Sequence, residues 1–422
     1  MIIWTLFILV TALFTSWKED NIKKLLKSDA LGYYAYLPAV FIYQDIDFGW
    51  YDENIAFFKS DNREPFDFRE YPDGATINKY YMGTALASLP FFVPVWLSYS
   101  ALSIPCSGYE MPFYYAIHLA AIAYFLCGLY FMIQTMLRLG IEKKWAIILA
   151  YCVLLGTNAG YYIVSEPGLS HIFSFAFISL FLYLSTCMIQ GNLRISTMLL
   201  LGFTFGMICL IRPVNAIILF ALPFISGDLR SFFSGTKIRP YLIAAFVAIC
   251  ILSLQFIYYK AATGSFFVYS YNEERFLFLQ AHFYEFLWSY RKGFFVYTPL
   301  FLFLFPALIY WYRKRSKMGA LFFIAFFIGL TYLFSSWWMW YYGGGLGTRV
   351  FIEFYPLFAI PIAYYFSACR NEWVRNMNYF FLLLFIYFGY LSQWQYRKGK
   401  IHWDSATKEQ YYDNLFKIDH LL

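Results

Sequence analysis

The sequence predicts an all-α, polytopic integral membrane protein of about 11–12 transmembrane helices, with interfacial helices in its first external loop. Three observations carry this. Hydrophobic residues make up 61% of the 422 and charged residues only 14%, against about 45–50% and about 25% in soluble domains. Aromatics reach 24%, with 50 Phe, 40 Tyr and 13 Trp, as expected of a chain that faces lipid and its interface. Apolar windows near the length that crosses a bilayer recur along the chain.

Those windows are residues 1–17, 83–104, 112–137, 145–163, 169–189, 195–211, 213–227, 240–259, 298–312, 317–335, 350–367 and 377–394. The first lacks a basic leader and a small-residue cleavage site, so it is read as a retained anchor. Residues 1–394 form one transmembrane domain. Within it, 18–79 is the first external loop, too polar to be buried. Its stretch 29–43 opens on Asp29, turns apolar and aromatic, and is expected to be an amphipathic interfacial helix. Residues 395–422 form a polar, surface-bound tail.

Basic residues orient the bundle. The connections with Arg138, Lys143 and Lys144, with Arg194, with Arg230, Lys237 and Arg239, with Arg313, Lys314, Arg315 and Lys317, and with Arg370 and Arg375 are short and basic. They read as cytoplasmic. The opposite face then carries 18–79, 164–170, 260–297 and 336–349, and function is sought there. Parity requires one window not to cross. Residues 83–104, interrupted by Pro90 and Pro94, are expected to form a re-entrant or interfacial hairpin.

The candidate site residues lie on that face. Asp29 is either a desolvated carboxylate working as a base or a helix N-cap. Tyr33 and Tyr34 follow it as substrate-contact candidates. Glu166, in SEPGLSHIF, is a second acid or a cap before Pro167, with His171 one turn on. Arg212, in CLIRPVNAII beside Asn215, needs an anion: a bound phosphate, or an internal partner in Glu166 or Asp29. Arg291 and Lys292 precede an external span entrance, against the positive-inside trend. They either attract a lipid phosphate or anchor headgroups. Arg349 follows a run with Gly343, Gly344, Gly345 and Gly347, a candidate phosphate loop. Asn78 and Lys79 mark the start of the expected hairpin, binding an acceptor or anchoring it.

The composition excludes a soluble enzyme, a disordered chain and a nucleic-acid-binding domain. Seven sparse Cys exclude a disulfide scaffold. Phosphate-loop, dinucleotide, zinc-protease and serine-hydrolase motifs are absent from the sequence. No spacing points strongly to a metal.

The segments SDALGYYAYLPAVFI, NKYYMGTALASLPFF, LGTNAGYYIVSEPGLSHIFSF, LIRPVNAII, SYRKGFFVYTPL and GTRVFIEFYP, in that order, resemble the GT-C superfamily of membrane glycosyltransferases. That superfamily includes the protein mannosyltransferases and lipid A aminoarabinose transferases. The nearest likeness is to uncharacterised Bacteroidetes members. The resemblance implies a polyprenyl-phosphate-linked sugar as donor and a protein, lipid or glycan acceptor. It implies transfer on the periplasmic side of a bacterial inner membrane. Asp29 would be the base or acceptor-orienting carboxylate, and Glu166 the second acid. Arg212, Arg291, Lys292 and Arg349 would hold the lipid phosphate. A divalent cation stays open as a cofactor. Two departures are Met82 before Gly83, where many relatives have Pro, and a lone first acid where the mannosyltransferases carry an adjacent pair. A flippase for a lipid-linked sugar and a non-catalytic envelope scaffold are the other readings. No inverted repeat supports the first.

Overall fold

The structure is a computed structural model that describes residues 25–50, 67–71, 74–227 and 238–415. The predicted first span, much of the first loop, and Arg230 and Lys237 lie outside the described residues. The protein is an all-α polytopic membrane protein. In chain order its elements are α1 (Asp29–Pro38), running into a wider turn Ala39–Tyr43, a short hairpin of β1 (Phe68–Glu70) and β2 (Thr76–Asn78), α2 (Gly83–Ala101), α3 (Met111–Arg138), α4 (Lys143–Leu155) and α5 (Ala159–Ser165). Then follow α6 (Ser170–Ile189), α7 (Ile195–Ile211), a 3-10 stretch Pro213–Ala221, α8 (Leu222–Ser226), α9 (Ile238–Thr263), α10 (Phe283–Trp288) and α11 (Phe294–Tyr297). Last come α12 (Leu304–Lys314), α13 (Lys317–Ser335), a 3-10 stretch Arg349–Phe354, α14 (Tyr355–Ala368), α15 (Glu372–Arg397) and α16 (Lys408–Asn414).

Among the described residues, six helical segments are long and apolar enough to cross a membrane: α2, α3, α6, α9, α13 and the run Arg349–Ala368. The pair α4 and α5, bent by 56°, makes a seventh if taken as one span. The predicted windows 213–227 and 298–312 fold as shorter pieces, because Pro213 and Pro299 each open a 3-10 stretch, whereas 377–394 lies within the 26-residue α15. Broken helices inside a bundle are tolerated where neighbours satisfy the freed backbone groups.

The basic connections gather at one end. Arg138 bonds Gln190 at 3.1 Å, Arg315 reaches the Leu139 carbonyl at 3.0 Å, and the Glu142 amide donates to Ser367 at 3.2 Å. α3 and α6 run parallel, as Tyr124–Phe173, Phe131–Tyr183 and Arg138–Gln190 pair in step. The starts of α3 and α6 therefore mark the opposite end.

Two expectations about the first loop change. The stretch 29–43 is not an amphipathic surface helix: Ala30 to Ala39 are all buried. Its apolar and aromatic residues run round the whole helix, and such a helix packs inside. Tyr34 and Tyr36 meet Phe92 and Phe48 there. The expected hairpin at 83–104 is instead one unbroken helix, α2, with Pro90 and Pro94 inside it. Between the prolines, Phe92 packs against Tyr34 and Phe113. Both of its ends meet that same opposite end of the bundle. Gly83 lies on Leu210 and Ile211 where α7 finishes, and Tyr99 stacks on Phe113 where α3 begins.

α15 crosses the break between α4 and α5 at a glycine pair. A Cβ on Gly389 would lie 2.2 Å from the Gly156 carbonyl oxygen and 2.4 Å from its carbon. Backbone cannot yield as a side chain does. Gly389→Ala is expected to destabilise the protein by about 1–3 kcal/mol, read as a lowered thermal midpoint in detergent. Gly399→Ala is not the matching control, because its φ of 68° penalises any Cβ.

Candidate functional site

The end of the bundle away from the basic connections carries a cluster of acids, cations and tyrosines. Asp29 opens α1 behind Ser28, whose φ is 50°. Its Oδ2 accepts from Arg349 Nη2 at 2.8 Å, and the two side chains are 24% and 14% exposed. Asp29 is thus not the helix cap, a position that Ser28 holds. Burial pushes its carboxyl pKa up, but the Arg349 guanidinium, Tyr80 and Lys79 outweigh burial and hold it below the usual value. Glu166 ends α5 and accepts from the Tyr161 hydroxyl at 2.8 Å. Burial raises its pKa against the pull of Arg349. One guanidinium therefore stands near two carboxyls whose surroundings push them in opposite directions.

The glycine run does not form an anion cradle. Gly343, Gly345 and Gly347 adopt φ of 67°, 143° and 59°, which only glycine does easily. Carbonyls, rather than amides, face the neighbouring side chains. Gly344 accepts from Arg349 at 3.4 Å, Gly345 accepts from Lys292, and Leu346 accepts from Asn158 at 2.8 Å. The loop holds cations in place.

Behind it sits a deeper set. Glu353 is fully buried, and its Oε1 lies 3.0 Å from Arg212 Nη1 and 2.8 Å from His171 Nδ1. Arg212 and His171 are 3.0 Å apart, and Asn215 donates to Ser174 at 3.1 Å. The internal partner of Arg212 is therefore Glu353, not Glu166 or Asp29. Imidazole and carboxylate meet because the 3-10 stretch Arg349–Phe354 packs on α6, and Arg212 joins them from the end of α7, which also packs on α6.

The remaining candidates divide. Tyr33 accepts from Ser170 at 3.2 Å, and its ring lies 4.2 Å from that of Tyr80, tilted by 35°, within the cluster. Tyr34, next on α1, turns away and donates to the Gly108 carbonyl at 2.5 Å, so it is not brought to the cluster. Lys79 pairs with Glu274 at 2.7 Å, between the rings of Tyr80 and Tyr271. Arg69 shares that carboxylate at 3.0 Å. Arg291 faces the tail instead. It binds Asp404 at 2.9 Å and lies 3.3 Å over the Tyr341 ring. Asn78 serves the fold, donating to the Gly32 carbonyl at 2.7 Å.

Lys292 is almost wholly buried and donates to the carbonyls of Gly345 and Trp403. Burial beside Arg349 lowers its pKa to about 7, against about 10.4 for a free lysine. Between those values the unfolded chain binds more protons than the folded one. Stability then rises with pH through that window, and below about pH 7 the cost of burying the charge is fully present. The thermal midpoint is expected to climb between about pH 7 and about pH 9.5, and Lys292→Met should flatten that slope.

Sequence reasoning missed Glu353, Asp67 and Tyr80. An acid inside the apolar run VFIEFYP is itself a signal, since ionisable residues within spans are rarely idle. Asp67 and Tyr80 gave none. Among the described residues no group of three or more His, Cys, Asp or Glu is placed to hold a metal ion. Asp29, Glu166 and Glu353 are each engaged, by Arg349, by Tyr161, and by Arg212 with His171.

No protein-family model matches the chain, and no curated protein matches it. Among solved structures, the chain is similar to the crystal structure of the Archaeoglobus fulgidus oligosaccharyltransferase in complex with Zn and sulfate. The two are 12% identical, with a TM-score of 0.49 over 98% of this chain and 54% of the other. The chain thus spans about half the length of that structure.

Proposed function

We propose that the protein is a membrane glycosyltransferase. It moves a sugar from a polyprenyl-phosphate donor to an envelope acceptor, in the inner membrane of a bacterium, with the Asp29 end facing the periplasm. The observation that carries this is the Asp29–Arg349–Glu166 arrangement at the end opposite the basic connections. The family resemblance of the surrounding segments supplies the chemistry to be tested.

The reaction asks little of the protein. The acceptor hydroxyl gives its proton to Asp29, and its oxygen forms a bond to the anomeric carbon. The bond from that carbon to the phosphate oxygen breaks, and the lipid phosphate leaves with the electron pair. Direct displacement inverts the anomeric centre. Arg349 stabilises the charge that grows on the phosphate. Because Arg349 is also the partner of Asp29, a phosphate that engages the guanidinium loosens its hold on the carboxylate. Donor binding then makes Asp29 a better base. Glu166 orients the acceptor, and Lys79 stands beside Tyr80 and Tyr271. Arg212 and His171 act from behind, held by Glu353. Lys292 and Arg291 keep the glycine run and the tail in place.

The test uses the protein in lipid nanodiscs with a panel of radiolabelled polyprenyl-phosphate sugars and a delipidated envelope extract as acceptor. Label entering the extract with an inverted linkage supports the reading. Movement of intact donor between leaflets without its consumption replaces it with a flippase. Neither donor binding nor transfer replaces it with a scaffold.

A further inference from the structure

Asp67 is fully buried, and neither carboxyl oxygen has a hydrogen-bond partner among the described residues. It is placed with care. Its backbone carbonyl accepts from the Lys79 amide at 2.7 Å, pinning it where the β1–β2 hairpin closes. It lies against α1 at Gly32, one turn beyond Asp29. A Cβ on Gly32 would come 2.8 Å from the Asp67 Cβ and 2.6 Å from the Tyr80 ring. Only glycine at that position lets both side chains approach the helix. The groups facing Asp67 are Asp29 from α1, Arg69 on β1, and Lys79 and Tyr80 after β2. Arg69 and Lys79 are both committed to Glu274. A fully buried carboxylate without a bonded partner is strongly disfavoured and takes up a proton instead. The Tyr80 ring packs with Asp67 against Gly32, and its hydroxyl acts electrostatically on both acids.

We propose that Asp67 is a positioning residue for Asp29: a neutral carboxylic acid that acts through the Tyr80 hydroxyl to fix the Asp29 carboxylate toward Arg349. The lone acid of the sequence thus gains a second acid in space, kept protonated so that it can donate. The inference rests on the transferase reading for its activity consequences but not for its structural ones. Burial and the nearby Asp29 charge both raise the Asp67 pKa, while Asp29 itself stays ionised.

The experiment is infrared difference spectroscopy on the full chain in nanodiscs across neutral pH, with transfer measured alongside. A protonated-carboxyl carbonyl band at pH 7 that disappears in Asp67→Asn is expected. Tyr80→Phe, which keeps the ring packed on Tyr33 and Gly32, should move the Asp29 titration upward. Asp67→Asn, also a neutral donor, should keep transfer within about threefold of wild type. Asp67→Leu, similar in volume but without a donor, should move the Asp29 titration and lower transfer by tenfold or more. Absence of the band at pH 7, or an Asp29 titration indifferent to both Tyr80→Phe and Asp67→Leu, overturns the proposal. Loss of transfer in Asp67→Asn as deep as in Asp29→Asn also overturns it, because Asp67 would then work ionised. If wild type transfers no sugar, the transferase reading fails while the spectroscopic arms still decide the role of Asp67.

Discussion

Asp29→Asn is expected to lower sugar transfer by about 10²–10⁴-fold, the range that a positioned general base contributes. Asparagine keeps the size and a carbonyl that Arg349 can still reach, so the change removes basicity more than shape. The ion pair it weakens is part-exposed, and such pairs contribute modestly to stability. Folding should therefore survive, and donor binding with it. The kinetic form discriminates. Loss of a group that acts only as the proton leaves lowers kcat and kcat/KM together with KM little changed. Asp29→Glu, which keeps the carboxylate but moves it by one methylene, should recover part of the rate. Single-turnover measurements with prebound donor give these constants. Transfer by Asp29→Asn at the wild-type rate would end the assignment of Asp29 as base.

How much of this was legible in the sequence depended on whether a local signal existed. Composition and apolar windows were enough for the all-α membrane class, and the clustering of basic connections followed from the positions of a few Arg and Lys. Asp29, Glu166, Arg349 and Lys79 stood out because charge is scarce in this chain, and the fold brings them to one end. The pairing was not legible. Asp29 meets Arg349 across most of the chain, and no spacing rule reaches that far. Arg212 shows the difficulty well. Its need for an anion could be read from the cost of burying it, but Glu353 was hidden inside a motif read for its family likeness. Burial of α1 was missed because an aromatic-rich segment suits an interface and an interior equally. Only its packing against α2 distinguishes them. Two prolines in 83–104 suggested a turn, yet the helix runs unbroken through both. The glycine run was correctly read as a place of unusual backbone, but which of its groups face inward is decided by partners elsewhere, Lys292 and Asn158 among them.

Glu353→Ala and Arg212→Ala should each cost about 3–5 kcal/mol of stability, because each leaves its buried partner without compensation. Glu353 has no solvent access, and Arg212 is only 16% exposed. Removing the carboxylate strands a guanidinium beside His171, 3.0 Å away. Removing the guanidinium leaves a carboxylate with one remaining partner on Oε1, His171, and none on Oε2 among the described residues. The two losses should not add. Arg212→Met combined with Glu353→Leu deletes both charges and fills the space with apolar groups, and the double variant should be more stable than either alanine variant. The comparison separates two roles that a single substitution confounds. If Arg212 serves only to hold the fold, the apolar double variant regains both stability and transfer. If its charge also steadies the donor phosphate, stability returns while transfer stays low. Unfolding midpoints in detergent and transfer rates measured on the same preparations decide between them. A loss under about 1 kcal/mol in both alanine variants would mean that water reaches the pair and that it is not the buried strut described.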